Sequence, residues 1–158
     1  MKKKTLIINA ALLLTLLMLT AAAKAILNKK ELPMNQTIML TVNDKEFIID
    51  LENNKSAAAF SQKLPITIQM NEFNGNEKYF DLTEALPADA FRPGNLKCGD
   101  FMLYGNSTVV LFYQNFSSSY RYTRLGKIRN PAKLAEALGK GNPTVIFSVC
   151  NRGNTKTP

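Results

Sequence analysis

Ile38, Leu40 and Val42 alternate with Met39 and Thr41, and beyond Asn43-Asp44 the alternation resumes at Phe47, Ile49 and Leu51. A period of two places one set on a buried face, so two such runs around an Asn-Asp pair predict a β-hairpin. The period changes over residues 54–64, where Ala57, Phe60 and Leu64 fall on one helical face, Asn54 can cap the start and Pro65 forbids continuation. A short helix packed on the sheet follows. Ile66, Ile68 and Met70 return to a period of two, and Asn74-Gly75 suits a tight turn with positive φ. Residues 81–94 hold Pro87, Pro93 and no sustained period, which predicts a surface excursion with a helical turn at most.

After a turn at 97–100, residues 101–104 and 108–113 are near-continuous apolar runs, the pattern of strands buried on both faces. A loop at 114–119 leads to a strand at 120–128. Asn130-Pro131 predicts the cap and first turn of a second helix, with Leu134 and Leu138 on one face and Gly139 as its stop. Val145, Phe147 and Val149 make the last strand. Seven or eight short strands with two short helices predict a mainly β domain, a small closed or nearly closed barrel.

Ahead of this domain, Lys2, Lys3 and Lys4 precede an uncharged run from 5 to 23, which ends at Ala23-Lys24-Ala25. Charged start, apolar core and small-x-small site in that order predict a bacterial-type secretory signal. The organisation expected is a signal at 1–25, a linker at 26–36, the domain at 37–150 and a polar tail at 151–158. The protein is then exported, periplasmic or extracellular; the alternative is an uncleaved helical anchor, since the apolar run is nearly long enough to span a bilayer. Removing the lysines at 2, 3, 4 and 24 lowers the formal net charge from +8 to +4. That mild field, without a basic block, argues against a nucleic-acid partner, and membrane contact is expected only through the N-terminal segment. In an oxidising compartment Cys98 and Cys150 are a candidate disulfide, with two free thiols as the alternative.

The chain has no histidine. This removes Ser-His-Asp and Cys-His nucleophiles and the zinc sites that need an imidazole, and two cysteines alone cannot complete a structural zinc site. No phosphate-binding glycine loop or calcium loop is present, so neither a cofactor nor a metal is expected. What stands out is aromatic. Residues 101–120 carry no charge, and 101–122 hold seven of the fourteen aromatic residues: Phe101, Tyr104, Phe112, Tyr113, Phe116, Tyr120 and Tyr122. Arg121, Arg124, Lys127 and Arg129 are interleaved or follow. One reading is a core hairpin with a solvated basic strand; the other is an aromatic groove with an arginine at its edge. Strand alternation puts Tyr120, Tyr122 and Arg124 on one face, and with Tyr104, Tyr113 and Phe116 they form the candidate ligand-binding set.

The same residues carry a resemblance. The strings at 99–105 (GDFMLYG), 109–113 (VVLFY) and 119–128 (SYRYTRLGKI), with NGNEKYF at 74–80 and ALG at 137–139, resemble a family of small bacterial proteins with the cyclophilin-like fold. It spans about residues 38–149 and implies a cyclophilin-like barrel; with the aromatic groove, the expected function is a non-catalytic module that binds a peptide or small apolar ligand, or a non-catalytic envelope protein. The alternative it implies is a weak peptidyl-prolyl isomerase. Turning an X-Pro bond needs no nucleophile, only an arginine bonded to the prolyl amide over an apolar pocket, so the missing histidine does not exclude it. The Phe-His-Arg motif of true cyclophilins is absent, as are the Trp and His that help line their site, and no catalytic residue carries over.

Overall fold

The computed structural model describes residues 36–150; the expected signal, all of the expected linker but Gln36, and the tail lie outside the described residues. Strand β1 (Thr37–Val42) pairs with β2 (Lys45–Leu51) in the predicted hairpin. Asn43 and Asp44 turn the chain at φ 46 and 58, the left-handed pair a two-residue hairpin turn requires. Helix α1 (Lys55–Ser61) starts where Asn54 accepts a hydrogen bond from the Ala57 amide at 2.8 Å. Its Phe60 drops into the core, edge-on to Phe101 at 5.1 Å and to Phe147 at 5.4 Å.

Strands β3 (Ile66–Gln69), β4 (Asn71–Phe73) and β5 (Glu77–Asp81) follow, then β6 (Gly94–Leu96), β7 (Asp100–Tyr104), β8 (Thr108–Phe112), β9 (Phe116–Ser118) and β10 (Tyr122–Ile128). Helix α2 (Leu134–Leu138) and β11 (Thr144–Val149) complete the domain. Nine strands form one sheet in the order β3-β11-β1-β2-β10-β7-β8-β5-β4. Its two edges, β3 and β4, are consecutive in the chain and meet at Met70, which is fully buried and donates its amide to the Pro143 carbonyl at 2.9 Å. One short segment thus turns the seam, and the mainly β fold is a nearly closed barrel with two short helices, as the sequence predicts.

β7 and β8 are buried on both faces, as their unbroken apolar runs require. Phe101, Leu103, Val109 and Leu111 face the barrel interior, while Met102, Val110 and Phe112 face outward and pack with Tyr122 under Leu96 and Phe116. The cover is a separate two-stranded sheet, β6 with β9. Sequence reading misses it because three-residue strands carry no readable period. Met70 likewise lies in the corner between two strands, and β4 is an extra strand. Helix α2 starts later than expected: Lys133, at φ 66, precedes it, while Asn130 accepts from the Ala132 amide at 3.2 Å instead of capping it.

Val145, Phe147 and Val149 all lie in the last strand as expected, with Val149 50% exposed at its end. One further expectation, the Cys98–Cys150 disulfide, is corrected. Cys98 and Cys150 are free thiols. A continuous row of partners runs Val149, Ile38, Ile49, Ile128, and the Ile128 amide donates to Gly99 at 2.9 Å. Three strands therefore lie between the cysteines, a path of four strand spacings of about 4.8 Å, against the Cα separation of about 4.4–6.8 Å that a bridge needs.

Candidate ligand-binding site

Alternation along β5 sends Glu77, Tyr79 and Asp81 outward and Lys78 inward. Of the outward residues of its partner β8, Thr108 and Val110 line the same hollow, joined by Tyr104 and Tyr122 from the next strands. Phe73, Asn74, Phe116 and Tyr120 close the sides, leaving a cavity of about 370 Å³ on the outer face of the barrel. Tyr122 and Val110, both buried, make its floor. Phe73, Tyr104 and Tyr120 are exposed and make its rim.

The rings brace one another. Tyr104 lies 5.9 Å from Tyr120, nearly perpendicular, and 5.7 Å from Tyr122, which meets Phe112 edge-on at 5.7 Å. Across the mouth Phe73 meets Tyr79 edge-on at 6.1 Å. Such pairs contribute roughly 0.5–1.5 kcal/mol each beyond area burial, so the walls are held in place without a ligand. Burial also pushes the Tyr122 hydroxyl above its ordinary pKa.

Four residues of the candidate set, Tyr104, Phe116, Tyr120 and Tyr122, line this cavity. Tyr113 and Arg124 do not. Tyr113 shares its face with Val109 and Leu111 and so points into the barrel, where its hydroxyl bonds both oxygens of Glu72 at 2.8 and 2.9 Å. Arg124 sits on the correct face but one step too far along β10, opposite Met102. There its guanidinium lies 5.4 Å from the Phe91 ring, 3.7 Å from Glu52 and 3.9 Å from the buried carboxylate of Asp100. Among the described residues the other cation beside Asp100 is Lys127 at 3.5 Å, so the arginine is engaged outside the cavity.

Sequence reading missed Phe73, Asn74, Glu77, Tyr79, Asp81, Thr108 and Val110. A signal was present, since Asn74-Gly75 starts an alternation that sets Glu77, Tyr79 and Asp81 on one face. The pairing of β5 with β8 was not legible, and that pairing brings the face to the aromatic hairpin.

Glu77 is the chemically unusual member. It is only 9% exposed, and among the described residues its carboxylate takes part in no hydrogen bond or ion pair. Burial, with repulsion from Glu72, pushes its pKa up to about 7. Asp81 accepts a bond from the Thr108 hydroxyl at 2.5 Å. Among the described residues no lysine or arginine lines the cavity, although the chain has 20 basic and 12 acidic residues. Among the described residues no group of three or more metal-ligating side chains is placed to hold an ion.

No curated protein matches the chain. Among solved structures it is similar to a hypothetical protein of Archaeoglobus fulgidus, determined in solution, with 16% identity and a TM-score of 0.54. The match covers 77% of this chain and 99% of that one, and shows the fold alone. The model of the cyclophilin-like family matches residues 40–148, a span that takes in the barrel from β1 to β11 and every residue lining the cavity. With most of its length inside that match, the chain belongs to the cyclophilin-like family.

Proposed function

We propose that this protein is a non-catalytic binding module, exported by its N-terminal segment, that holds a small organic ligand in the outer-face aromatic cavity. The observation that carries the reading is the convergence of Tyr79, Tyr104, Phe116, Tyr120 and Tyr122 around about 370 Å³, a volume within the usual range for small-molecule sites. The isomerase alternative has less support, because among the described residues no arginine lines this cavity to bond the prolyl amide, and Arg124 is engaged with Phe91, Glu52 and Asp100.

The test uses the tyrosines themselves. Of the five in the chain, four line the cavity and Tyr113 does not. Titration with cyclohexanol, followed by NMR of the ring resonances, is expected to shift Tyr104, Tyr120 and Tyr122 saturably and to leave Tyr113 unmoved. Shifts spread equally over all five rings, or none, would overturn the reading. Intact mass after expression in a secreting host tests export; a full-length chain in the membrane fraction favours the anchor.

A further inference from the structure

We infer that the cavity selects a small organic cation, a substituted ammonium ion, over neutral molecules of the same shape, an inference that rests on the cavity being a ligand site. Glu77 is nine-tenths buried, lines the cavity and has no hydrogen-bond or ion-pair partner among the described residues. A buried carboxylate in that state is costly, and a cation placed beside it supplies the missing charge and the missing contact together. The surrounding tyrosine rings present electron-rich faces, which attract an ammonium group by roughly 0.5–2 kcal/mol according to how far it is desolvated. A neutral ligand leaves Glu77 unpartnered, and an anion is repelled by it.

The geometry also separates an organic cation from a metal ion. Glu77 and Asp81 are four residues apart on one strand, so their backbones are about 13 Å apart and the Tyr79 ring stands between them. Two carboxylates so spaced cannot chelate one ion. A bulky, weakly hydrated cation needs no such convergence, because rings contact its substituents while one carboxylate meets its charge. Among the described residues no lysine or arginine lines the cavity to compete with a bound cation for Glu77.

The experiment compares choline with dimethylbutanol, its uncharged carbon isostere, by calorimetric titration of the purified protein. Choline is expected to bind at least about tenfold more tightly, a difference of about 1.4 kcal/mol. Glu77→Gln should cut the choline preference at least about fivefold, leaving only the part the rings supply. Tyr120→Ala, at a rim position 59% exposed and outside the core, should weaken choline while the circular dichroism stays unchanged. Equal binding of choline and isostere overturns the cation selectivity but leaves the cavity a ligand site. Failure of both to bind overturns both readings. A choline preference undiminished by Glu77→Gln also overturns the proposal, since the carboxylate would then contribute nothing to it.

Discussion

Lys78 and Glu77 are neighbours on β5, and alternation sends one into the barrel and the other out to the cavity. The Lys78 side chain is fully buried, yet its ammonium donates to the Gly139 carbonyl at 2.8 Å and the Gly141 carbonyl at 2.6 Å, pairs with Glu72 and stands 5.3 Å from the Tyr113 ring. Burial alone would raise the Glu72 pKa, but bonds from Lys78, Tyr113 and the Gly75 amide hold it below the ordinary carboxylate range. The same contact, after burial, pushes Tyr113 up to about 12. Glu77 receives none of this support. A buried charge with every bond made ties the barrel end to the loop after α2; a buried charge with no bond made is available to something outside the protein.

The sharpest way to break this comparison is to remove each charge. Lys78→Ala leaves Glu72 and two carbonyls without their shared donor, and should lower stability by about 3 kcal/mol in urea unfolding. Glu77→Gln removes an unsupported charge and should leave stability unchanged or raise it by up to about 1 kcal/mol. Similar losses from both would show that Glu77 has a structural partner after all.

Titration sharpens the contrast next. Glu77 has a folded pKa of about 7 against an ordinary 4.5, so between these values the folded state keeps a proton that the unfolded state releases. Its contribution is fully present below about pH 4.5 and is lost as pH rises through 7. Allowing for the water that reaches a carboxylate lining an open cavity, the fall should be about 1–2 kcal/mol. Glu72 works in the opposite direction and lower down, since its depressed pKa yields stability lost only as pH falls below about 4.5. No histidine titrates in between. Unfolding free energy from pH 5 to 8 should therefore decline in the native protein and stay flat in Glu77→Gln; a decline of the same size in both would assign the proton elsewhere.

A smaller effect is expected at Tyr113. Tyr113→Phe keeps the ring over Lys78 but removes the hydroxyl that bonds Glu72, a loss of about 1 kcal/mol. Cavity binding should not change, because the residue lies on the other side of the sheet. Weakened cyclohexanol binding in this variant would show that the two faces are coupled through β8.

These differences explain what could be read in advance. The β1–β2 hairpin, the Asn54-capped helix and the doubly buried β7 and β8 were legible because each is written in a local period or cap. The rings of the site were legible as a cluster in sequence. The carboxylate was not, because Glu77 reaches those rings only through the pairing of β5 with β8, a contact between residues more than thirty positions apart. Arg124 was misplaced for a related reason. Face could be read from alternation, but the Phe91 bridge to Tyr122 and the pull of Asp100 are tertiary facts.

Arg124→Ala therefore carries the smallest expected effect on binding, and it is the cleanest separation of the two readings of the site. If the guanidinium completed the wall, its loss would cost a carbonyl- or carboxylate-bearing ligand a charge-assisted hydrogen bond, worth roughly tenfold or more in affinity. In this structure it sits over Phe91 and faces Glu52 and Asp100, two residues along β10 from the ring that forms the cavity floor. Choline and cyclohexanol affinities should then stay within about twofold of the native protein. Stability should fall by about 1 kcal/mol, from the lost contact with Phe91 and the partial exposure of Asp100 to a single remaining cation, Lys127. The two readouts move apart only if the arginine belongs to the fold and not to the ligand. A fall in affinity with stability intact would return it to the cavity and make the bound molecule an anion or a carbonyl compound in place of an ammonium ion.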